Sequence, residues 1–216
     1  MIVLSDAVSA YPRGGFVFSC EKADFPDAEV TLLTGENGSG KTTLCRLLCG
    51  VLRPDKGRLL IDGEDATAWP LGRIGARVGY LLQEPSRQLF RPSVFEELTF
   101  VPELLGRDPQ ETAAKAEELL AEFGLTRLKD RATLTLSRGE KQRLALAALL
   151  MGGARFFILD EPTTGLDADN RRILYGKIEE LRERGAGFAV ASHDRELLSQ
   201  WPRRLRLREG RVVREN

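Results

Sequence analysis

The stretch TGENGSGKTTL, Thr34 to Leu44, sets three glycines between an apolar run (Val30, Leu32, Leu33) and the start of a helical pattern. Glycine loses more backbone freedom on folding than any other residue, so a cluster of it requires a compensating contact. Gly35 to Thr42 fits G-x-x-x-x-G-K-[ST], with a strand before it and a helix, Lys41 to Cys49, after it. In such a loop the glycines let successive backbone N–H groups face one anion, and the helix N-terminus adds partial positive charge. A lysine at position 41 reaches the outer phosphates of a nucleotide, and the Thr42 hydroxyl holds Mg²⁺. The candidate phosphate-binding residues are therefore Gly35, Asn37, Gly38, Ser39, Gly40, Lys41, Thr42 and Thr43. A chance match to this pattern is expected about once in a hundred chains of this length, and the flanking elements remove most of those.

The second chemical element is FFILDEP, residues 156 to 162. A buried strand that ends in paired carboxylates is costly unless the carboxylates face a cation or a polar site. Beside a phosphate loop, Asp160 is placed to bind Mg²⁺ and Glu161 to orient or deprotonate an attacking water. The third is LSRGEKQR, residues 136 to 143, where Ser137 and Glu140 form an S-x-x-E capping box opening a helix with Leu144, Leu146 and Leu149.

Around these pieces the chain reads as one unit. Short apolar stretches at Ile2 to Leu4 and Phe16 to Phe18, separated by the turn residues Pro12, Gly14 and Gly15, predict a small antiparallel sheet. Strands at Leu59 to Ile61, Val78 to Leu82, Phe156 to Leu159 and Phe188 to Ala191, with a helix at Asp169 to Arg184, predict a mostly parallel sheet covered on both faces. From Glu84 to Met151 helical periodicity dominates, with Asp108, Pro109 and Glu111 as a start signal and Gly124 as a stop. The expected organisation is an α/β core over residues 1–83 and 152–216 with a helical subdomain, 84–151, inserted into it. The closing RRLRLREGRVVRE predicts a hairpin about Glu209 and Gly210, its arginines read as protection of an exposed sheet edge.

Composition excludes several alternatives. Lys plus Arg and Asp plus Glu both total 32, so zero net charge gives no reason to expect nucleic acid as a partner. The three cysteines lack a CxxC spacing, and Cys45 and Cys49 read as small core residues on one helix face. No run approaches the roughly 18 apolar residues of a membrane span, and the first residues lack the basic start and long apolar run of a signal peptide. The expectation is a soluble chain that stays in a reducing cytoplasm.

The order of the pieces resembles one family, the nucleotide-binding subunits of ABC transporters, which are P-loop NTPases of α/β class. GENGSGKTT, Gln83 at the end of VGYLLQ, a helical insert, LSRGE, ILDEP, TTGLD (Gly165 to Asp167) and ASHD with His193 follow one another as in that family, over essentially the whole chain. The resemblance implies ATP and Mg²⁺ as ligands. It implies that Gln83 touches Mg²⁺ and the attacking water, and that His193 contacts the γ-phosphate and orients Glu161. It further implies a dimer with a second such subunit, identical or paralogous, in which two ATP molecules are sandwiched. Ser137 and Gly139 of one subunit would meet the γ-phosphate held by the other, and Asp167 would couple the two sites. Tyr11 is the first candidate to stack on adenine, with Phe16 and Phe18 as alternatives. One departure stands out: the family pattern is LSGGQ, and this chain has Arg138 for a glycine and Glu140 for the glutamine.

QEPSRQLFRPSVFEELTFVPELLG is most similar to the ATPases of energy-coupling factor importers, which serve cobalt, nickel and vitamins. That likeness implies a peripheral place on the cytoplasmic face of a membrane, with a transmembrane partner received through Gln83 to Phe100. Leu89, Phe90, Val94 and Phe95 either line that contact or pack the helical insert. The alternative is a soluble ABC-type ATPase of an assembly or repair complex.

Overall fold

The computed structural model describes residues 1–11 and 15–213, so the turn residues Pro12 and Gly14 and the terminal Asn216 lie outside the described residues. Strands β1 (Ile2–Ala10), β2 (Val17–Phe25) and β3 (Val30–Thr34) lead into α1 (Lys41–Leu48). Next come β4 (Lys56–Ile61), β5 (Glu64–Asp65), α2 (Leu71–Gly75) and β6 (Val78–Leu81). Three helices follow, α3 (Val94–Leu104), α4 (Pro109–Glu122) and α5 (Arg138–Met151). The chain closes with β7 (Phe156–Asp160), α6 (Ala168–Glu183), β8 (Gly187–Ala191), α7 (Arg195–Gln200), β9 (Arg204–Arg208) and β10 (Arg211–Val213).

All ten described strands join one mixed sheet in the order β5-β4-β1-β2-β10-β9-β3-β8-β7-β6. Strands β9, β3, β8, β7 and β6 run parallel, whereas β2, β1, β4 and β5 are antiparallel. Alternation along the central strands sends side chains to two cores. Phe157, Leu159, Phe188 and Val190 pack with α3 to α6 on one face. Phe156, Ile158, Ala189 and Ala191 pack with α1 and the N-terminal strands on the other. Cys45 and Cys49 are buried in this second core, where burial pushes the Cys49 thiol up to about 11.

The helix boundaries follow the capping chemistry of the sequence. Asp108 accepts hydrogen bonds from the Gln110 and Glu111 amides at α4, and both arms of the Ser137/Glu140 capping box form at α5.

The closing hairpin departs from the expectation of an edge. β10 pairs parallel with β2 and β9 pairs parallel with β3, so the hairpin bridges the antiparallel strands to the parallel core. The alternating Arg/Leu pattern is equally compatible with an edge and with an interior strand that has one polar face, and only long-range pairing decides. Its two-residue turn puts Glu209 at φ 48° and Gly210 at φ 75°. Gly210 N donates to Ser39 O at 3.0 Å, tying the hairpin to the glycine loop.

A Cβ at Gly210 would stand 2.2 Å from the Val17 carbonyl oxygen. Gly210→Ala is therefore expected to cost about 2 kcal/mol or more and to lower Tm by about 4–8 °C, measured by circular dichroism. Gly63→Ala, also at positive φ but with nothing within 4 Å, carries the backbone cost alone and should lose less. Equal losses would refute the close approach.

Candidate nucleotide site

The phosphate loop is held at the carboxyl end of β3, and its conformation explains its glycines. Gly35, Gly38 and Gly40 have φ of 144°, 78° and 109°. Gly35 lies against β9, where a Cβ would come 2.3 Å from the Leu207 carbonyl oxygen. A Cβ on Gly38 would meet nothing within 4 Å, so the loop leaves open space where backbone amides can approach a ligand.

One cavity of about 610 Å³ gathers eleven of the residues singled out from the sequence. Its lining includes Tyr11, Asn37, Gly38 and Gly40, the α1 residues Lys41, Thr42 and Thr43, then Gln83 past the end of β6, and Asp160 and Glu161 at the end of β7. Lys41 is buried, and its Nζ donates to Gly35 O at 2.7 Å and Glu36 O at 3.1 Å. Burial lowers its pKa, while Glu161 and Asp160 pull it back up. Asp160 is only 2% exposed. Burial raises its pKa, and Thr42, Tyr80 and the cations Arg46 and Lys41 oppose that rise.

Glu161 sits at φ 52°, a left-handed conformation that costs a non-glycine residue about 1–3 kcal/mol. Its amide donates to Ala191 O at 2.8 Å, which holds the turn in place. Burial raises the Glu161 pKa, offset first by His193, whose Nε2 lies 3.5 Å from Glu161 Oε1. Strand pairing of Asp160 with Ala191 brings the two segments together.

The remaining sequence candidates lie elsewhere. Gly35, Ser39 and His193 face a second cavity behind the loop. Ser137, Gly139 and Asp167 line neither cavity: Ser137 caps α5 and Asp167 caps α6, accepting from the Asn170 amide at 2.8 Å. A Cβ at Gly139 would lie 3.2 Å from Gly165 O, so the α5 start and the turn before α6 are packed together. Phe18 is fully buried in the core and is removed from the adenine candidates, whereas Tyr11 and Phe16 line the cavity with their rings 6.0 Å apart.

The apolar residues after Gln83 divide. Leu89 and Val94 are core, and Phe95 packs against it. Phe90 is 66% exposed, with its ring 5.0 Å from Phe100.

Arg46 also lines the cavity, and Tyr80 reaches Asp160 Oδ2 at 3.5 Å through its hydroxyl. Arg46 lies four residues beyond Thr42, one helical turn along the same face, and that spacing was the available signal. Tyr80 gave none beyond strand alternation.

The residues fit the ligands. Open loop amides and a buried lysine suit a polyphosphate, and Thr42, Gln83 and Asp160 offer hard oxygen donors. Mg²⁺ characteristically takes few protein ligands and completes its shell with phosphate and water. Among the described residues no cluster of three or more His, Cys, Asp or Glu forms a self-sufficient metal site.

The sequence pattern of the ABC transporter family matches residues 22–164. The chain belongs to that family. It is an ATP-binding, ATP-hydrolysing subunit related to the energy-coupling factor ATPases. It is 38% identical over 172 residues to a putative ABC transporter ATP-binding protein of Pyrococcus furiosus, covering 80% of this chain and 66% of that protein, so just under two thirds of that relative's length is spanned. It is 34% identical over 212 residues to the energy-coupling factor transporter ATP-binding protein EcfA1 of Thermotoga maritima, covering 98% of this chain and 80% of that one. Its fold matches the structure of CbiO1 from Clostridium perfringens, part of the ABC transporter complex CbiONQ, with TM-score 0.84 and 28% identity over 99% of this chain and 86% of the other. Among the described residues no helix is long and apolar enough to cross a membrane.

Proposed function

We propose that this ABC subunit is the motor of an energy-coupling factor type importer of a metal ion or vitamin, working as an ATP-induced dimer on the cytoplasmic face of a membrane. The observation that carries the proposal is the convergence of Lys41, Thr42, Gln83, Asp160 and Glu161 on one cavity, with His193 against Glu161. Lys41 binds the outer phosphates once its contacts to the loop carbonyls are exchanged for phosphate oxygens. Thr42, Asp160 and Gln83 hold Mg²⁺, which when bound neutralises charge on the phosphate oxygens. Glu161 takes the proton of the attacking water, and His193 orients that carboxylate. Tyr11, with Phe16 beside it, stacks on adenine.

The cavity is open on one side, and the α5 N-terminus that would close it does not line it within the same chain. A second subunit supplies that helix end, whose early amides and Ser137 face the γ-phosphate across the interface. Residues 84–151 act as a helical lever on the core formed by 1–83 and 152–216. Exposed Phe90, within the Gln83 to Phe100 stretch, presents an apolar contact for the transmembrane partner.

Glu161→Gln in Mg-ATP is expected to elute at twice the 24.0 kDa chain mass on size exclusion, and at the monomer mass in ADP. A monomer in both conditions would overturn the sandwich.

A further inference from the structure

The cavity behind the phosphate loop, about 810 Å³, is larger than the nucleotide cavity. One wall is the loop from Gly35 to Ser39 with His193, and the other is one face of β9 carrying Arg204, Arg206 and Arg208. Alternation places these three arginines on one side of the strand about 7 Å apart, while Leu205 and Leu207 turn to the core. Because β9 is an interior strand, protection of an edge does not account for its charge. The lining offers two carboxylates, Glu36 and Glu209, against three guanidinium groups. Arg204 Nη2 donates to the Leu198 carbonyl at 2.9 Å, a contact that neutralises no charge. Ser39, 5% exposed, belongs to the same wall, and its Oγ has no hydrogen-bond partner among the described residues.

The two cavities share a wall. Asn37 and Gly38 line both, and His193, in the lining of the arginine cavity, lies 3.5 Å from Glu161 of the nucleotide cavity. We propose that the arginine-lined cavity is a binding site for inorganic phosphate, receiving the product that leaves the nucleotide cavity past His193. Guanidinium groups match phosphate oxygens in geometry and charge. Phosphate held there stands apart from the scissile position, so reversal of hydrolysis and rebinding at Lys41 are both disfavoured. The inference rests on the nucleotide reading of the adjacent cavity.

The test is equilibrium binding of radiolabelled inorganic phosphate to the full chain saturated with Mg-ADP. The double variant Arg204→Gln/Arg208→Gln is expected to bind phosphate about tenfold more weakly or worse, with ADP affinity unchanged as evidence of a folded site. Arg204→Lys/Arg208→Lys keeps the charge and should recover most of the loss. Unchanged phosphate affinity in the Gln pair, or no phosphate binding by the wild type with ADP bound, would overturn the proposal. Failure of ADP itself to bind is a different result, which overturns the nucleotide reading and the phosphate site with it.

Discussion

Lys41→Ala is expected to lower ATP affinity by about a hundredfold or more, since two charge-assisted hydrogen bonds to phosphate are each worth about 1.5–3 kcal/mol. The lysine is 8% exposed and already holds two loop carbonyls, so its ammonium is positioned at the loop before any ligand arrives. Burial lowers its pKa, yet Glu161 and Asp160 favour the charged form, so the cation is supported by the carboxylates across the cavity. Isothermal titration with Mg-ATP measures the loss, and a circular dichroism melt confirms that the variant is folded. A folded variant with wild-type affinity would sink the assignment of the loop.

The second large effect falls on turnover. Glu161→Gln should lower kcat by about 10²–10⁴ while ATP still binds, the range for removal of a general base. Wild-type kcat should also decline on acidification at a pH above the ordinary carboxylate range, because burial raises the Glu161 pKa and only the ionised form accepts a proton. The residual activity of the Gln variant should lack that limb. If the pH profiles of the two proteins coincide, Glu161 is not the base. Stability of the nucleotide-free chain follows the same groups. A carboxyl whose folded pKa lies above its unfolded value binds more protons when folded, so stability falls as pH rises through the window above 4.5 for Glu161 and above 3.8 for Asp160.

Burial thus works against the charged forms of the acidic pair and the lysine alike, a cost that a nucleotide with its cation would relieve. The strained φ of Glu161 adds to it, and the Ala191 carbonyl that holds the Glu161 amide belongs to β8, two residues before His193. Gln142 of α5 donates to the Pro162 carbonyl at 3.0 Å, so the helix bearing LSRGE is tied to the turn that carries Glu161. That tie gives a physical route by which events at Glu161 reach the helical segment.

The local chemistry was legible in the sequence because its determinants are local. A glycine loop before a helix, the Asp108 cap, the capping box at Ser137 and the Glu209-Gly210 turn each depend on residues within a few positions of one another, and each forms where its pattern stands. The strands Phe156–Asp160 and Gly187–Ala191 were legible for a related reason: both faces are buried, so they read as unbroken apolar runs.

What only the tertiary structure decided is which segments become neighbours. Alternating Arg and Leu in 204–208 specifies a strand with one apolar face, but not that β9 inserts between β10 and β3 in the sheet's interior. That insertion turns an expected edge into the wall of a second, arginine-lined cavity and sets Leu207 against Gly35. Burial of Phe18, the exposure of Phe90 and the approach of the Tyr80 hydroxyl to Asp160 arise in the same way. Side-chain chemistry and short-range periodicity are written residue by residue. Sheet order depends on pairings between strands up to about 190 residues apart, such as β2 with β10, whose free energy exists only once the whole core has formed.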